Sequence, residues 1–501
     1  MSQYDTDDAP RLGGGQKLSL LDAVAQSIGF VGPVFSIAFL VPLLVGLTSA
    51  SGRGAGNAAP LAVVLASIGV LALGWIISEY ARRISAAGSL YDYISDGLGS
   101  RFGGTFGLLY YVGILALGSG LAVMIGGTIH DTLDAEFGSA VLPEGLWDLV
   151  VIGLVGAILY FGVAFSTRAQ LVLALLSVAT VFLFSLYVIV KAGGDNDLGK
   201  ALSPSSSETG FSGVLFGVLY GVLLFTGFET SANLGEETEH PKRDIPRAVL
   251  ISVLLVAGFY FIATYAQVAG FKFDLGAMGD AAGGPLFALA SGADDGGFGS
   301  TAVRRLLELV VVLDMLAVLI GCAVAASRGL FALARDRRLP SALANVSPRS
   351  TPLNATIVVL GLYLLTTAVT LWVPGFVELT GPDGAPLGLP HYVSVFSWMA
   401  ALGGFSLAVI YLVLSVGAVR GLADHAQPWK VYLAVFVSIL VTGAAIFGAI
   451  YKVPAPTIYV VWTTLAVFVV SLVLAFVSPG VEPSGHEWDD LNPADQGPQK
   501  L

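Results

Sequence analysis

The chain has 501 residues, 55% of them hydrophobic and only 12% charged, with a mean hydropathy of +0.82. That balance excludes a water-soluble globular protein of this size and requires a bilayer as the solvent. The formal net charge is -11, and a lone cysteine, Cys322, excludes an intrachain disulfide framework or a cysteine-based metal site.

Residues 1–19 are polar and glycine-rich, carry no cleavable signal peptide, and read as a tail ahead of the first apolar run. Apolar runs of about 20 residues, the length that crosses a bilayer, then fall at 20–48, 60–81, 103–128, 146–165, 169–192, 211–234, 247–271, 303–333, 353–374, 391–418, 430–450 and 456–478. These are twelve predicted transmembrane helices of an all-α protein, followed by an acidic tail at 479–501.

Two of these spans are interrupted. The first contains SIGFVGPVF, where Gly29, Gly32 and Pro33 cannot sustain an unbroken hydrogen-bond ladder, and the sixth contains LLFTGFET, broken around Gly227. Each break frees backbone groups that only a cavity or a ligand can satisfy at membrane depth. Matched breaks five spans apart are the pattern of an inverted repeat, with spans one to five at 20–192 and spans six to ten at 211–418.

Basic residues set the expected orientation. With a cytoplasmic N-terminus, fifteen Lys and Arg fall in inside segments, among them Arg82, Arg83, Arg168, Arg243, Arg335 and Arg338, against seven outside. Both termini are therefore expected in the cytoplasm of a multi-pass cell-membrane protein. Acid crowds the loops at Asp5–Asp8, Asp131–Glu136, Asp294–Asp295 and Glu487–Asp495, and lysine is half as common as arginine. Solvated acid in place of lysine is a habit of proteins from concentrated salt and points to a halophile, with ordinary solvated loops as the plainer reading.

Four stretches resemble the amino acid-polyamine-organocation (APC) superfamily of transporters. FTGFETSANLGEETEHPKRDIPRAV, from Phe225, matches its sixth span and following loop; SRGLFALARDRRLPSALANVSPRSTPLNA, from Ser327, matches the end of its eighth span. EYARRISAAGSLYDYISDGLGSRFG, from Glu79, matches the link after span two, with Ser85 where the family usually has proline, and SIGFVGPVF is a looser match to the first span. The resemblance implies a five-plus-five inverted repeat, the leucine-transporter fold, with discontinuous spans one and six and two additional helices at 430–478. It also implies an amine-bearing substrate, usually an amino acid.

On this reading, backbone amides around Gly29, Phe30, Val31 and Gly32 hold a substrate carboxylate, while carbonyls of the first break and of Phe225, Thr226 and Gly227 hold the amine. Phe225 is expected to cover the substrate. Glu229, where the family also carries an acid, either shuttles a proton or caps the broken helix. Asp314 lies about eleven residues inside span eight, too deep for an interface residue at 1.5 Å per residue. It binds a cationic group or a proton, or is a satisfied structural carboxylate. Tyr110, with Tyr111, offers a hydroxyl to the cavity or simply packs.

Arg82, Arg83, Arg168, Arg243, Arg335 and Arg338, with Glu236, Glu237, Asp244 and Asp336 and with Asp22 as a further partner, form an expected inner gate of ion pairs superposed on the ordinary positive-inside signal. Some family members place a lysine in span five in lieu of sodium; alignment puts Ser177 there, and span eight offers Ser327 for an ion. No metal site and no cofactor are expected beyond Na+ or H+ as coupling ion. Function is expected to be secondary active transport of amino acids or related amines by alternating access, with a small-molecule substrate, a lipid bilayer and no nucleic acid as partners. Competing classes are an amine sensor or channel on the same fold and a membrane-embedded enzyme. The five histidines fall in or near loops, and no G-x-x-x-x-G-K-[ST] motif occurs, so neither catalysis nor nucleotide-driven transport is expected.

Overall fold

The computed structural model describes residue 12 and residues 17–47, 53–281, 284–372, 389–451, 453 and 458–478. The acidic tail at 479–501, residues 1–11 and 13–16 of the N-terminal tail, and Lys452 lie outside the described residues. Helices follow in the order α1 (Leu20–Val31), α2 (Pro33–Phe39), α3 (Val41–Val45), α4 (Ala59–Ala81), α5 (Leu90–Leu98), α6 (Ser100–Phe137), α7 (Glu144–Tyr160), α8 (Val163–Ala192) and α9 (Leu198–Ala201). The second half holds α10 (Phe211–Leu224), α11 (Pro241–Gly270), α12 (Leu275–Asp280), α13 (Pro285–Ala290), α14 (Thr301–Arg335), α15 (Leu353–Trp372), α16 (His391–Gly421), α17 (Pro428–Ile450) and α18 (Tyr459–Val477). Among the described residues there is no strand beyond a single bridge, Leu18 with Thr238.

Ten helical segments among the described residues are long and apolar enough to cross a bilayer, which makes this a multi-pass membrane protein. Two of the expected spans fall short by length: α7 has 17 residues and α10 has 14. A helix advances 1.5 Å per residue, so α10 alone covers only about 21 Å. A turn and the 3-10 segment Thr230–Leu234 follow it.

Burial separates the helices into two shells. The most apolar windows of α6 and of α14 are 83% and 78% buried, whereas those of α15 and α18 are 28% and 22% buried and present apolar side chains to lipid. Inside a bilayer, close helix pairing rests on small residues rather than on hydrophobic drive. Accordingly, α16 meets α6 where a Cβ added to Gly403 would come within 2.8 Å of the Gly113 carbonyl. Cys322 is a free, buried residue of α14, as its small size and apolar setting lead one to expect.

Candidate functional site

The first break is a left-handed residue. Gly32 ends α1 at φ 57°, ψ 66°, its amide still bonded to the Ile28 carbonyl at 3.2 Å, and Pro33 opens α2. A side chain at Gly32 would be strained and would strike Val318 of α14. Gly29, Phe30 and Val31 belong to the continuous α1, so the amides released by the break are those beyond Gly32. Val34 N and Phe35 N both donate to Asp314 Oδ2, at 2.9 and 2.8 Å. The buried acid of α14 thus caps α2, favourably placed at the positive end of a helix.

The second break starts at Phe225, where α10 ends. Gly227 has φ 105°, and its carbonyl accepts Thr230 N at 3.0 Å and Thr230 Oγ1 at 2.7 Å as the 3-10 segment Thr230–Leu234 begins. Thr226 is half-buried in this turn, its amide bonded to the Leu223 carbonyl at 3.2 Å. The orphan carbonyl of Leu224 takes the Tyr260 hydroxyl at 2.6 Å, and Phe225 meets the Tyr260 ring edge-on with centroids 5.1 Å apart.

The two breaks lie against each other. Any side chain at Gly227 would run into the Phe30 ring, and Phe30 also fits over Gly321 of α14, where a Cβ would sit 3.0 Å from the Phe30 Cα. Ser27 Oγ donates to the Phe228 carbonyl at 2.7 Å and accepts from Ser231 N at 3.2 Å, stitching α1 to the segment after α10.

Glu229 is fully buried and saturated. Tyr110 Oη of α6 donates to Oε1 at 3.0 Å, and Tyr411 Oη of α16 donates to Oε2 at 2.8 Å. Tyr110, expected to offer its hydroxyl to the cavity or to pack, gives it to Glu229, whereas Tyr411 carried no sequence signal to distinguish it from a packing tyrosine.

A second polar link joins α1, α8 and α14. Gln170 Nε2 donates to Gln26 Oε1 at 3.1 Å, and Gln26 Nε2 donates to the Gly321 carbonyl at 3.2 Å. The α8 side chain beside the first break is Gln170, which lies over Gly29. Ser177 is two turns further along, its hydroxyl bridging the Leu173 and Val310 carbonyls at 2.8 Å each. Ser327 bonds within α14, to the Val324 carbonyl at 3.0 Å. The sequence signal for the glutamines is their isolation: each is an uncharged polar residue inside an apolar span.

Ion pairs cluster near the place where the segment before α1 meets the chain after α10. Arg328 and Glu237, both 3% exposed, form a two-pronged pair at 2.5 and 3.0 Å, and buried Arg335 binds Glu236 at 2.7 Å. Tyr91 Oη donates to Asp336 Oδ2 at 3.0 Å. Leu18 N donates to the Glu237 carbonyl and Glu239 N to the Leu18 carbonyl, both at 2.9 Å. Asp92 of α5 is buried beside this cluster, and loss of solvent, reinforced by the Asp336 charge, pushes its carboxyl well above the usual carboxylate range. Beyond the first break, rings meet edge-on or tilted: Phe35 with Phe396 at 5.2 Å, Phe35 with Phe39 at 5.5 Å, and Phe39 with Phe287 at 6.2 Å between centroids.

Asp22 and Arg83 pair outside the expected cluster, and Arg243 pairs within it. Asp22 closes a capping box with Ser19, its Oδ2 accepting Ser19 N at 2.9 Å, and takes the Thr167 hydroxyl of α8 at 3.5 Å. Arg83 pairs with Asp424 at 2.5 Å rather than with the acids after α10, and holds that carboxyl below its ordinary value. Arg243 turns to its neighbour Asp244 at 2.7 Å. Arg335 pairs with Glu236 inside the expected cluster, whereas Arg328, which pairs with Glu237, was not part of it.

A sequence model of the family "Amino acid permease" matches residues 30–478, nearly the whole described chain. The chain belongs to the amino acid permease family. Branched-chain amino acid permease BcaP of Lactococcus lactis is 26% identical over 357 residues, 68% of this chain and 72% of that one. The methylthioribose transporter of Bacillus subtilis is 26% identical over 413 residues, 79% of this chain and 80% of that one. Cationic amino acid transporter 4, vacuolar, of Arabidopsis thaliana is 26% identical over 362 residues, 69% of this chain and 57% of that one. Among solved structures, a mutant of the Eremococcus coleocola manganese transporter superposes with a TM-score of 0.55 at 13% identity, covering 95% of this chain and 98% of that one. This last likeness concerns the fold alone. The permease is a membrane transporter of the amino acid permease kind, and its family is one of transporters rather than enzymes.

Proposed function

We propose that this permease is a secondary active transporter of amino acids or related amines, working by alternating access around the facing breaks of its first and sixth spans. In this reading the chain crosses the membrane twelve times, with α7 and the broken α10 segment joining the ten longer spans. Both termini are cytoplasmic, and 20–192 and 211–418 are inverted repeats followed by two extra helices at 430–478. The observation that carries it is the contact of Phe30 with Gly227 at the two breaks, locked by Ser27. Helices are interrupted at membrane depth only where protein or ligand answers the freed backbone groups.

In this reading the Arg328–Glu237 and Arg335–Glu236 pairs form the inner gate, and the contacts of Phe35 with Phe396 and Phe39 the outer one. The substrate sits among Gly29, Phe30, Val31, Gly32, Phe225, Thr226, Gly227 and Asp314. Glu229, saturated by Tyr110 and Tyr411, orients the break. Coupling is by Na+ or H+ or by exchange, and the acid-rich composition suits a halophilic source. Relatives named for branched-chain amino acids, cationic amino acids and methylthioribose support a small organic substrate.

The test is uptake of labelled amino acids and amines into proteoliposomes, with sodium and proton gradients imposed separately. Saturable uptake of at least one substrate is expected. Protein that is folded in the liposomes and moves none of the panel, with or without a gradient, would refute the reading.

A further inference from the structure

The carboxylate of Asp314 divides its two oxygens between two different environments. Oδ2 is committed to the Val34 and Phe35 amides, while Oδ1 is fully buried and has no hydrogen-bond partner among the described residues. A buried anionic oxygen without a donor is an expensive arrangement that a ligand N–H would relieve. Two aromatic residues lie beside it: Phe35, which supplies one of the two amides, and Tyr260, within electrostatic reach of Asp314 and with its hydroxyl already given to the Leu224 carbonyl. A buried carboxylate with aromatic neighbours suits an organic ammonium ion, which gains both a charge-assisted hydrogen bond and attraction to ring faces.

We propose that Asp314 sets the substrate class of the site, selecting an organic amine that lacks a carboxylate over the corresponding zwitterionic amino acid. The proposal rests on the reading of the facing breaks as the substrate site. A substrate carboxylate entering there finds the Val34 and Phe35 amides already engaged, and the ionised form of Asp314 repels it in a medium that screens poorly. A bare ammonium finds the free Oδ1 and no repulsion. Discrimination of this kind works by building a clash against the wrong partner as much as by holding the right one.

The experiment compares matched pairs on the purified full-length protein: leucine with isoamylamine, arginine with agmatine, tyrosine with tyramine. Binding is read as the shift in thermal melting with ligand concentration. For each pair that binds, the amine is expected to bind at least roughly tenfold more tightly, the scale of a paired buried charge. Asp314→Asn keeps a carbonyl oxygen for the two amides but removes the charge, and in it the ratio within each pair should fall towards one. Amino acids bound as tightly as their amines by the wild type would overturn the proposal, as would a ratio unchanged in the variant or binding of neither member of any pair. If the variant does not fold, the wild-type comparison decides alone. Uptake that favours amino acids would remove this selectivity and leave the transport reading standing. Amine-selective binding with no uptake would do the reverse.

Discussion

The Phe30 ring occupies the space that a side chain at Gly227 would need, although the two residues lie on opposite breaks of the molecule. Gly227 also sits at φ 105°, a backbone region closed to other residues. The contact makes the two breaks one unit, and it sets a steric limit that a single methyl group exceeds.

Gly227→Ala is therefore expected to cost about 1 to 3 kcal/mol through overpacking and backbone strain, and to reduce uptake to background in protein that still elutes as a folded species. Wild-type uptake by this variant would separate the Phe30–Gly227 contact from transport.

Tyr110→Phe or Tyr411→Phe each leaves one Glu229 oxygen buried without its donor. A stability loss of about 1 to 3 kcal/mol per substitution is expected, measurable as a lower melting temperature. Because both hydroxyls serve one carboxylate, the double variant should depart from additivity. Strict additivity would mean that the two bonds are energetically independent.

The Arg328–Glu237 pair is buried on both sides, so removing one partner strands a charge. Arg328→Met is expected to destabilise the closed form by about 3 to 5 kcal/mol. The combined Arg328→Met, Glu237→Leu variant should recover much of that loss. Protection of cysteines placed along α1 from a cytoplasm-side thiol reagent reads the gate directly: it should fall in the single variant. Failure of the double variant to recover would point to the hydrogen bond from Arg328 to the Val324 carbonyl as the larger contribution.

Asp92 gives a pH dependence with a definite sign. Its carboxyl is raised above the ordinary 3.8 by burial and the nearby Asp336 charge, so the native state holds a proton that the unfolded chain releases. Its contribution to stability is full below the unfolded value and is lost as pH climbs from there through the raised folded value. Relative to wild type, Asp92→Asn should therefore gain stability as pH rises from acid towards neutral. Melting curves across that range test it, and parallel curves for the two proteins would refute it.

The order of helices was legible because a bilayer asks for long apolar runs, and the chain supplies them between charged loops. Gly32–Pro33 and Thr226–Gly227 were legible as well, since glycine and proline disturb the helical ladder whatever surrounds them. The partners of those breaks were not. Asp314 and Val34 are 280 residues apart, and neither periodicity nor spacing joins them. The same holds for Glu229 with Tyr411 and for Arg328 with Glu237. Arg83 was drawn towards the acids after α10 by charge alone, whereas packing delivers it to Asp424 between α16 and α17. In span five the expected Ser177 faces α14, and Gln170, nearer its start, reaches the first break.

The cap on α2 also constrains how the protein is made. Val34 emerges from the ribosome 280 residues before Asp314, so at about 5 to 20 residues per second the first span waits roughly 14 to 56 seconds for its acceptor. Through that interval the Val34 and Phe35 amides stand in or near hydrocarbon without their final partner. Such unsatisfied groups are costly there, so the newborn span needs interim shelter, from water at the insertion machinery or from a temporary helical neighbour. A segment made long before its acceptor thus reaches its native bonding late, and slow or truncated synthesis should expose it.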